Sequence, residues 1–291
     1  MQYKALFFGL TTIDIQYFVD EFPAVNTKVK SASPETFVGG PAANAAVAFA
    51  HLNDGTHFIS SIGNGPLTAF IRQDFEKTKL NFTNFSTGDA EPVIASVITS
   101  ANGHRNIFTH HPEKVESGID PKALLDQINP EIVLLDGFYP EFGIPLAKEA
   151  ASRNIPVVLD CGSWKTQYTE LLKYANTVIC SEDFLPPLCK SASDVFSFLK
   201  EAGVDNTAIS RGEKSILFEQ DGRMGEVSVE HRDIIDTLGA GDFLHGAYCY
   251  YFLKFRNFEQ ALKAASQLAS FTCTLKGTRK WLKQKNMMNF L

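Results

Sequence analysis

The sequence predicts a doubly wound α/β fold, a mostly parallel sheet sandwiched by helices, with a small β-sheet lid. Three observations carry this. From about residue 120 onward, continuous apolar strand runs alternate with amphipathic helical stretches. The first third instead holds extended stretches in which polar and apolar residues mix. Two glycine-rich turns, Gly39-Gly40 and Gly239–Gly241, each open onto a helical segment.

Residues 4–9 (KALFFG) read as a short strand. Stretches 15–20 and 27–38 are extended, and 92–111 is a hairpin of two period-two runs joined by Asn102-Gly103. Together they give a lid built from about 15–38 and 92–111, a natural cover for a site at the edge of the main sheet. EIVLLDGF (131–138), IPVVLDCG (155–162) and NTVICSE (176–182) are buried strand runs, and NTAISRG (206–212) continues the series. Helical spacing marks 141–153, 166–175, 193–203 and about 242–255. Apolar strands separated by helices imply a parallel sheet covered on both faces and wound by right-handed crossovers.

The chain has 291 residues, 44% hydrophobic and 21% charged, the profile of an ordinary soluble globular protein. No Gly/Ser/Pro-rich linker, charge block or fixed repeat divides it, so residues 1–291 are expected to form one domain. Its 27 Lys and Arg against 33 Asp and Glu give a net charge of −6. That argues against nucleic-acid and anionic-membrane partners, which need excess positive charge, and leaves room for a local basic pocket. The 24 Phe are scattered among apolar runs and read as core. Cys161, Cys180, Cys189, Cys249 and Cys273 contain no C-x-x-C pair, so neither a zinc framework nor a disulfide scaffold is suggested. Free thiols of this kind fit a reducing compartment. The N-terminal run has no A-x-A-like cleavage site, and nowhere do 18 consecutive apolar residues occur. A cytoplasmic location is the expectation.

The strongest chemical signal is Asp236-Thr237-Leu238-Gly239-Ala240-Gly241-Asp242 before a long helix. Small residues let backbone approach a ligand closely, and the unpaired N–H groups of a helix start attract anions. Asp242 by itself reads either as an N-terminal cap or as a general base beside a phosphate cradle. The second signal is Gly39-Gly40-Pro41-Ala42-Ala43-Asn44, a strand-to-helix turn with Pro at the first helical position. Asn44, one turn in, can turn its amide back toward the opening. Gly9-x-x-x-x-Asp14 closes the first strand.

In their order and context these motifs resemble the ribokinase-like carbohydrate kinase family, the phosphofructokinase B type, over essentially the whole chain. The closest motifs are those of ketohexokinase-like sugar kinases. The resemblance implies an ATP-dependent kinase that transfers the γ-phosphate to a hydroxyl of a sugar or sugar derivative. It implies Asp242 as catalytic base, with Gly239, Ala240 and Gly241 as the anion hole. It implies Asp14, Gly39, Gly40 and Asn44 at the sugar, and Arg105 reaching over sugar and phosphate. Asp236 matches the position that in several members helps hold a monovalent cation, with K⁺ the candidate. The family's N-x-x-E motif falls on Cys180-Ser181-Glu182-Asp183-Phe184, where Ser181 replaces Asn and Phe184 replaces Glu. Glu182 or Asp183 is left to support Mg²⁺. The G-x-K-G pattern becomes Gly212-Glu213-Lys214-Ser215, placing Gly212 and Ser215 beside the nucleotide. Ser266 and Gly277 are candidates for the adenine pocket or are packing positions.

Lys28, in the extended lid stretch, is either an exposed charge or the partner of an anionic substituent on the substrate. His104, His110 and His111 lie in the lid without a zinc spacing, and His245 falls one turn after Asp242. Phe138 and Tyr139 offer an apolar or stacking wall rather than another cation. Besides a sugar kinase, a nucleoside kinase and a non-catalytic sugar or nucleotide sensor on the same fold remain open. The resemblance also implies a homodimer formed through the lid.

Overall fold

The computed structural model describes residues 2–31, 34–87, 91–102, 105–111, 115 and 118–284. The chain starts with β1 (Ala5–Phe8), then leaves the main sheet for β2 (Thr12–Val19) and β3 (Glu35–Gly39). It returns through α1 (Pro41–Leu52), β4 (Thr56–Ser60), α2 (Thr68–Glu76) and β5 (Leu80–Asn84). After β6 (Val93–Ser100) and β7 (Arg105–Thr109) come α3 (Pro121–Ile128), β8 (Ile132–Leu135), α4 (Pro140–Ser152) and β9 (Val157–Cys161). Then follow α5 (Tyr168–Leu171), β10 (Thr177–Ser181), α6 (Ala192–Glu201) and β11 (Asn206–Arg211). A hairpin of β12 (Lys214–Gln220) and β13 (Arg223–Val227) precedes α7 (Ala240–Phe255) and α8 (Phe258–Thr272).

Nine strands form the main sheet in the order β13-β12-β11-β10-β9-β8-β1-β4-β5. From β5 to β11 every pairing is parallel, and β12 and β13 add antiparallel to that edge. Every residue of β1, β8 and β9 is buried, as a strand covered on both faces must be. Alternate residues feed opposite cores. Ala5 and Phe7 of β1 pack with α1, α7 and α8, whereas Leu6 and Phe8 pack with α3, α4 and α6. Strand order reverses between β1 and β8, and at such a switch point the two chain directions diverge to leave a crevice at the strands' carboxyl ends.

Four further strands form a second sheet, ordered β3-β2-β6-β7. Here β2 pairs parallel with β6 and antiparallel with β3, and β6 pairs antiparallel with β7. Strand β2 begins at Thr12, earlier than the expected 15. Among the described residues of the expected 27–38 stretch, strand starts at Glu35: Thr27, Lys28 and Lys30 are polar and exposed, and the one apolar side chain among them, Val29, is exposed as well. The Asn102-Gly103 junction joins two antiparallel strands, with Gly103 outside the described residues. Among the described residues, no helix is long and apolar enough to cross a membrane.

Helix α7 lies against α1 with no room for a side chain at Gly246. A Cβ there would sit 1.9 Å from the Ala45 carbonyl oxygen, a backbone atom that cannot swing aside. We expect Gly246→Ala to cost about 1–3 kcal/mol through overpacking. Gly162→Ala, where a Cβ meets nothing within 4 Å, is the control. Urea denaturation of both variants is the check, and equal midpoints would refute the close-packing account.

Candidate active site

Everything in the site hangs from the crevice between β1 and β8. Asp136, the residue after β8, is fully buried and its carboxylate accepts three backbone N–H bonds. They come from Leu10 (2.8 Å), Ala42 (3.1 Å) and Phe138 (3.0 Å). The Ala42 N–H belongs to the first turn of α1, where no intrahelical acceptor exists, so Asp136 caps that helix from another element. Burial pushes the Asp136 carboxyl up to about 6, against the lowering effect of these bonds.

Asp14 on β2 is buried, and the Thr12 hydroxyl donates to its Oδ1 at 2.5 Å. A Cβ on Gly39 would lie 2.0 Å from Asp14 Oδ2, so the carboxylate fits only because residue 39 lacks a side chain. Gly40 is the N-cap of α1 at φ 100, and its missing Cβ would strike the Leu10 carbonyl. Burial raises the Asp14 carboxyl above its ordinary range, opposed by the Thr12 bond and the charge of Arg279.

Asn44, inside α1, joins the two ends of the chain. Its Nδ2 donates to Asp242 Oδ2 at 2.8 Å, and its Oδ1 accepts from Arg279 Nη1 at 2.9 Å. Arg279 has donors only, so its position settles which end of the amide faces Asp242. The guanidinium is itself held by Asp74, with Nε donating to Oδ2 at 2.9 Å.

Helix α7 starts at Ala240 rather than 242, with Gly239 as N-cap at φ 78 and no side-chain cap bond. Asp242 is therefore no cap. Its carboxylate turns to Asn44 while its backbone N–H stays at the helix start. The Ala240 N–H donates to Thr237 O at 3.2 Å, which takes it out of the expected anion hole. Gly241 and Asp242 supply first-turn N–H groups without a carbonyl one turn earlier in the helix. A Cβ on Gly241 would meet nothing within 4 Å, so the space before this turn is open. Burial is the main force raising the Asp242 carboxyl, to about 7, and the charges of Asp160 and Asp14 add to it. The Asn44 bond and His245 pull the other way.

This turn borders a 740 Å³ cleft that also carries Arg105, Ser181, Gly212 and Ser266, with apolar walls from Ile216, Val229 and Leu244. Arg105, the first residue of β7, reaches the loop before α7 and donates from Nη2 to Thr237 Oγ1 at 3.1 Å. Ser181 donates to Gly162 O and accepts from the Asp183 N–H, capping the turn after β10.

Other expected positions lie elsewhere. Ser215 does not line the cleft. Its hydroxyl bonds Glu226 and accepts from Arg211 between the edge strands. Gly277 packs against Phe37, whose ring a Cβ would meet at 2.4 Å, and its N–H donates to Asp236 Oδ2. Asp236 Oδ1 accepts the Leu238 N–H, so this carboxylate staples two loops together. Phe184, at the place of the expected Glu, is core, packed edge-to-face on Tyr168 and near Trp164. Glu182 is exposed beside Ser181, and no three metal-ligating side chains cluster among the described residues. Lys28 is exposed and makes no ion pair with the described residues. His111 stacks on Phe138, over which Lys165 Nζ lies at 4.6 Å, so that wall carries a cation after all. His110 is exposed, and His104 lies outside the described residues.

Asp136, Asp160, Asp74 and Arg279 escaped the sequence reading. Asp136 and Asp160 had a signal, a charge closing a fully apolar strand run. Arg279 and Asp74 had none, because their partners are distant in sequence.

A model of the pfkB family carbohydrate kinase matches residues 2–285. The chain belongs to this family. The kinase is 24% identical over 280 residues to the nucleoside kinase of Methanocaldococcus jannaschii, covering 92% of this chain and 90% of that one. It is 21% identical over 291 residues to the ketohexokinase of Mus musculus, at 92% and 95% coverage. Its fold matches the structure of Arabidopsis thaliana ribokinase complexed with ribose and ATP, with TM-score 0.77, 22% identity and coverage of 98% and 100%.

The Asp74–Arg279–Asn44–Asp242 chain makes a prediction for this kinase. Arg279→Met frees the Asn44 amide to rotate away from Asp242, and kcat should fall about 10²-fold, the cost of a misplaced group. Coupled ADP-release kinetics are the check, and a wild-type kcat would show that Asn44 needs no outside hold.

Proposed function

We propose that this kinase transfers the γ-phosphoryl group of ATP to a hydroxyl of a sugar bound beneath the four-stranded sheet. The observation that carries the reading is the 2.8 Å bond between Asn44 and Asp242. It joins the turn matched to sugar contacts with the turn matched to phosphate contacts, so one half-buried carboxylate lies between the two ligands. Asp14, Asn44 and the Gly39-Gly40 backbone hold the sugar hydroxyls. Asp242 takes the proton of the attacking hydroxyl as the new O–P bond forms, and the bond between γ-phosphorus and its bridging oxygen breaks to release ADP. The Gly241 and Asp242 N–H groups, at the positive end of α7, face the charge on the transferred group. Arg105 adds positive charge from the lid, and Ser181, Gly212 and Ser266 line the nucleotide's cleft.

The donor set suits a Mg²⁺ carried on the phosphates and its own waters, with Glu182 the nearby carboxylate. Bound there, Mg²⁺ would neutralise charge on the nucleotide. Both Asp236 oxygens already accept N–H bonds, so its part in holding K⁺ rests on the resemblance alone. A nucleoside is the second reading, favoured by the Phe138–His111 stack, which offers an aromatic surface to a base.

A base held near 7 must be ionised to act. The value of kcat/KM should therefore fall about tenfold per pH unit below about 7 and level off above it. Asp242→Asn should bind ATP normally and lose about 10²–10⁴-fold in kcat. ADP release across ketoses, aldoses, anionic sugars and nucleosides tests both, and near-normal turnover by Asp242→Asn would end the base assignment.

The edge strand β7 exposes Ile107 (55%) and Phe108 (62%), an apolar edge that a second lid would cover. On this reading Phe108→Lys converts a dimer to a monomer in sedimentation equilibrium. A wild-type monomer at all concentrations would refute lid pairing.

A further inference from the structure

His245 and Asp160 are buried polar groups close to the cleft that the mechanism above does not use. His245 lies one turn into α7 and is 4% exposed, and Asp160, at the end of β9, is 6% exposed. His245 Nδ1 is 2.6 Å from Gly241 O. Its Nε2 is 2.9 Å from Ile179 O on β10 and 3.5 Å from Asp160 Oδ1. Asp160 Oδ2 is buried and finds no hydrogen-bond partner among the described residues.

Both ring nitrogens therefore face only oxygen acceptors. A neutral imidazole has one N–H and one lone pair, and here the lone pair would be pressed against a carbonyl oxygen. The doubly protonated ring satisfies both sides and gives the buried Asp160 carboxylate its counter-charge, without which burial is costly. We propose that Asp160 and His245 form a buried ion pair behind the anion-binding turn, and that His245 is a positioning residue for that turn and for Asp242. The inference rests on Asp242 being the base.

The link is covalent geometry. Gly241 C=O and Asp242 N–H belong to one planar peptide group. A donor fixed on that carbonyl fixes the direction of the N–H on the far side. It also polarises the peptide, making the N–H a stronger donor to a phosphoryl oxygen. The same pair sets the charge around the base. Asp160 and Asp14 act to raise the Asp242 carboxyl, whereas His245 and the Asn44 bond act to lower it. Asp160 in turn faces Asp136 just after β8, Cys161 on β9, Cys180 on β10, Tyr168 on α5 and Cys249 on α7. Burial drives the three thiols and the phenol far above neutrality, so they stay uncharged.

The sign follows. Removing the His245 charge leaves only the Asn44 bond to oppose Asp160 and Asp14, so Asp242 holds its proton to higher pH. The acidic limb of kcat/KM should move up by about one unit in His245→Gln, as expected for loss of a nearby opposite charge. His245→Gln combined with Asp160→Asn removes both charges and should return the limb at least halfway. A role confined to stability would lower the melting temperature of both variants and leave the limb in place. A folded, active His245→Gln with an unmoved limb would overturn the proposal. Because that variant can fail to fold, ¹⁵N NMR of the wild-type histidines supplies a readout without turnover. Both His245 nitrogens should carry protons at the assay pH, and a single neutral tautomer would refute the ion pair. Should Asp242→Asn keep its activity while His245 is doubly protonated, the base assignment fails and the ion pair stands.

Discussion

The buried carboxylate of Asp136 is the constraint on which the rest of the site depends. It lies where the main sheet changes winding direction, the one place where loops from both halves of the sheet meet. By accepting N–H bonds from Leu10, Ala42 and Phe138, it ties together the end of β1, the start of α1 and the turn after β8. The first of these aims β2 and Asp14 toward the crevice. The second fixes the turn that presents Asn44. Gly9 is required beside it, because a Cβ there would lie 2.1 Å from Asp136 Oδ1.

From this anchor the site is assembled by polar contacts that span almost the whole chain. Asp74, Asn44, Asp242 and Arg279 meet through three hydrogen bonds, although Asn44 and Arg279 are 235 positions apart. Such a site gathers the buried carboxylates of Asp14, Asp136 and Asp160 and the half-buried one of Asp242 into one region, an arrangement that opposes folding unless charge is matched nearby. Arg279 and His245 supply that match from two directions. A site built this way trades stability for a carboxylate, that of Asp242, whose proton affinity suits neutral pH.

The lid is held unevenly. At its root, Ile13 of β2 and Val38 of β3 share the core that packs α1 and α7 on the main sheet, and the Thr278 hydroxyl donates to Val38 O. Lys276 and Lys280 on Glu35, and the packing of Phe37 against Gly277, add to this end. At the far side β7 is exposed at every residue, and Arg105 ties it back through Thr237.

The sequence by itself determined the layered α/β architecture, because strands buried on both faces must read as continuous apolar runs and their helices as amphipathic ones. It also marked Asp14, Asn44 and Asp242, since glycines beside a carboxylate or amide record close backbone approach, a local requirement written in adjacent residues. Tertiary structure alone decided the rest. That Asp242 faces Asn44 instead of capping its helix depends on where α1 packs. That Ala240 spends its N–H on Thr237, and that Ser215 and Gly277 turn from the cleft, depends on neighbours brought in by the fold. Arg279 and Asp160 gain their meaning only from partners far along the chain, and no local pattern encodes a contact whose other half lies so many residues away.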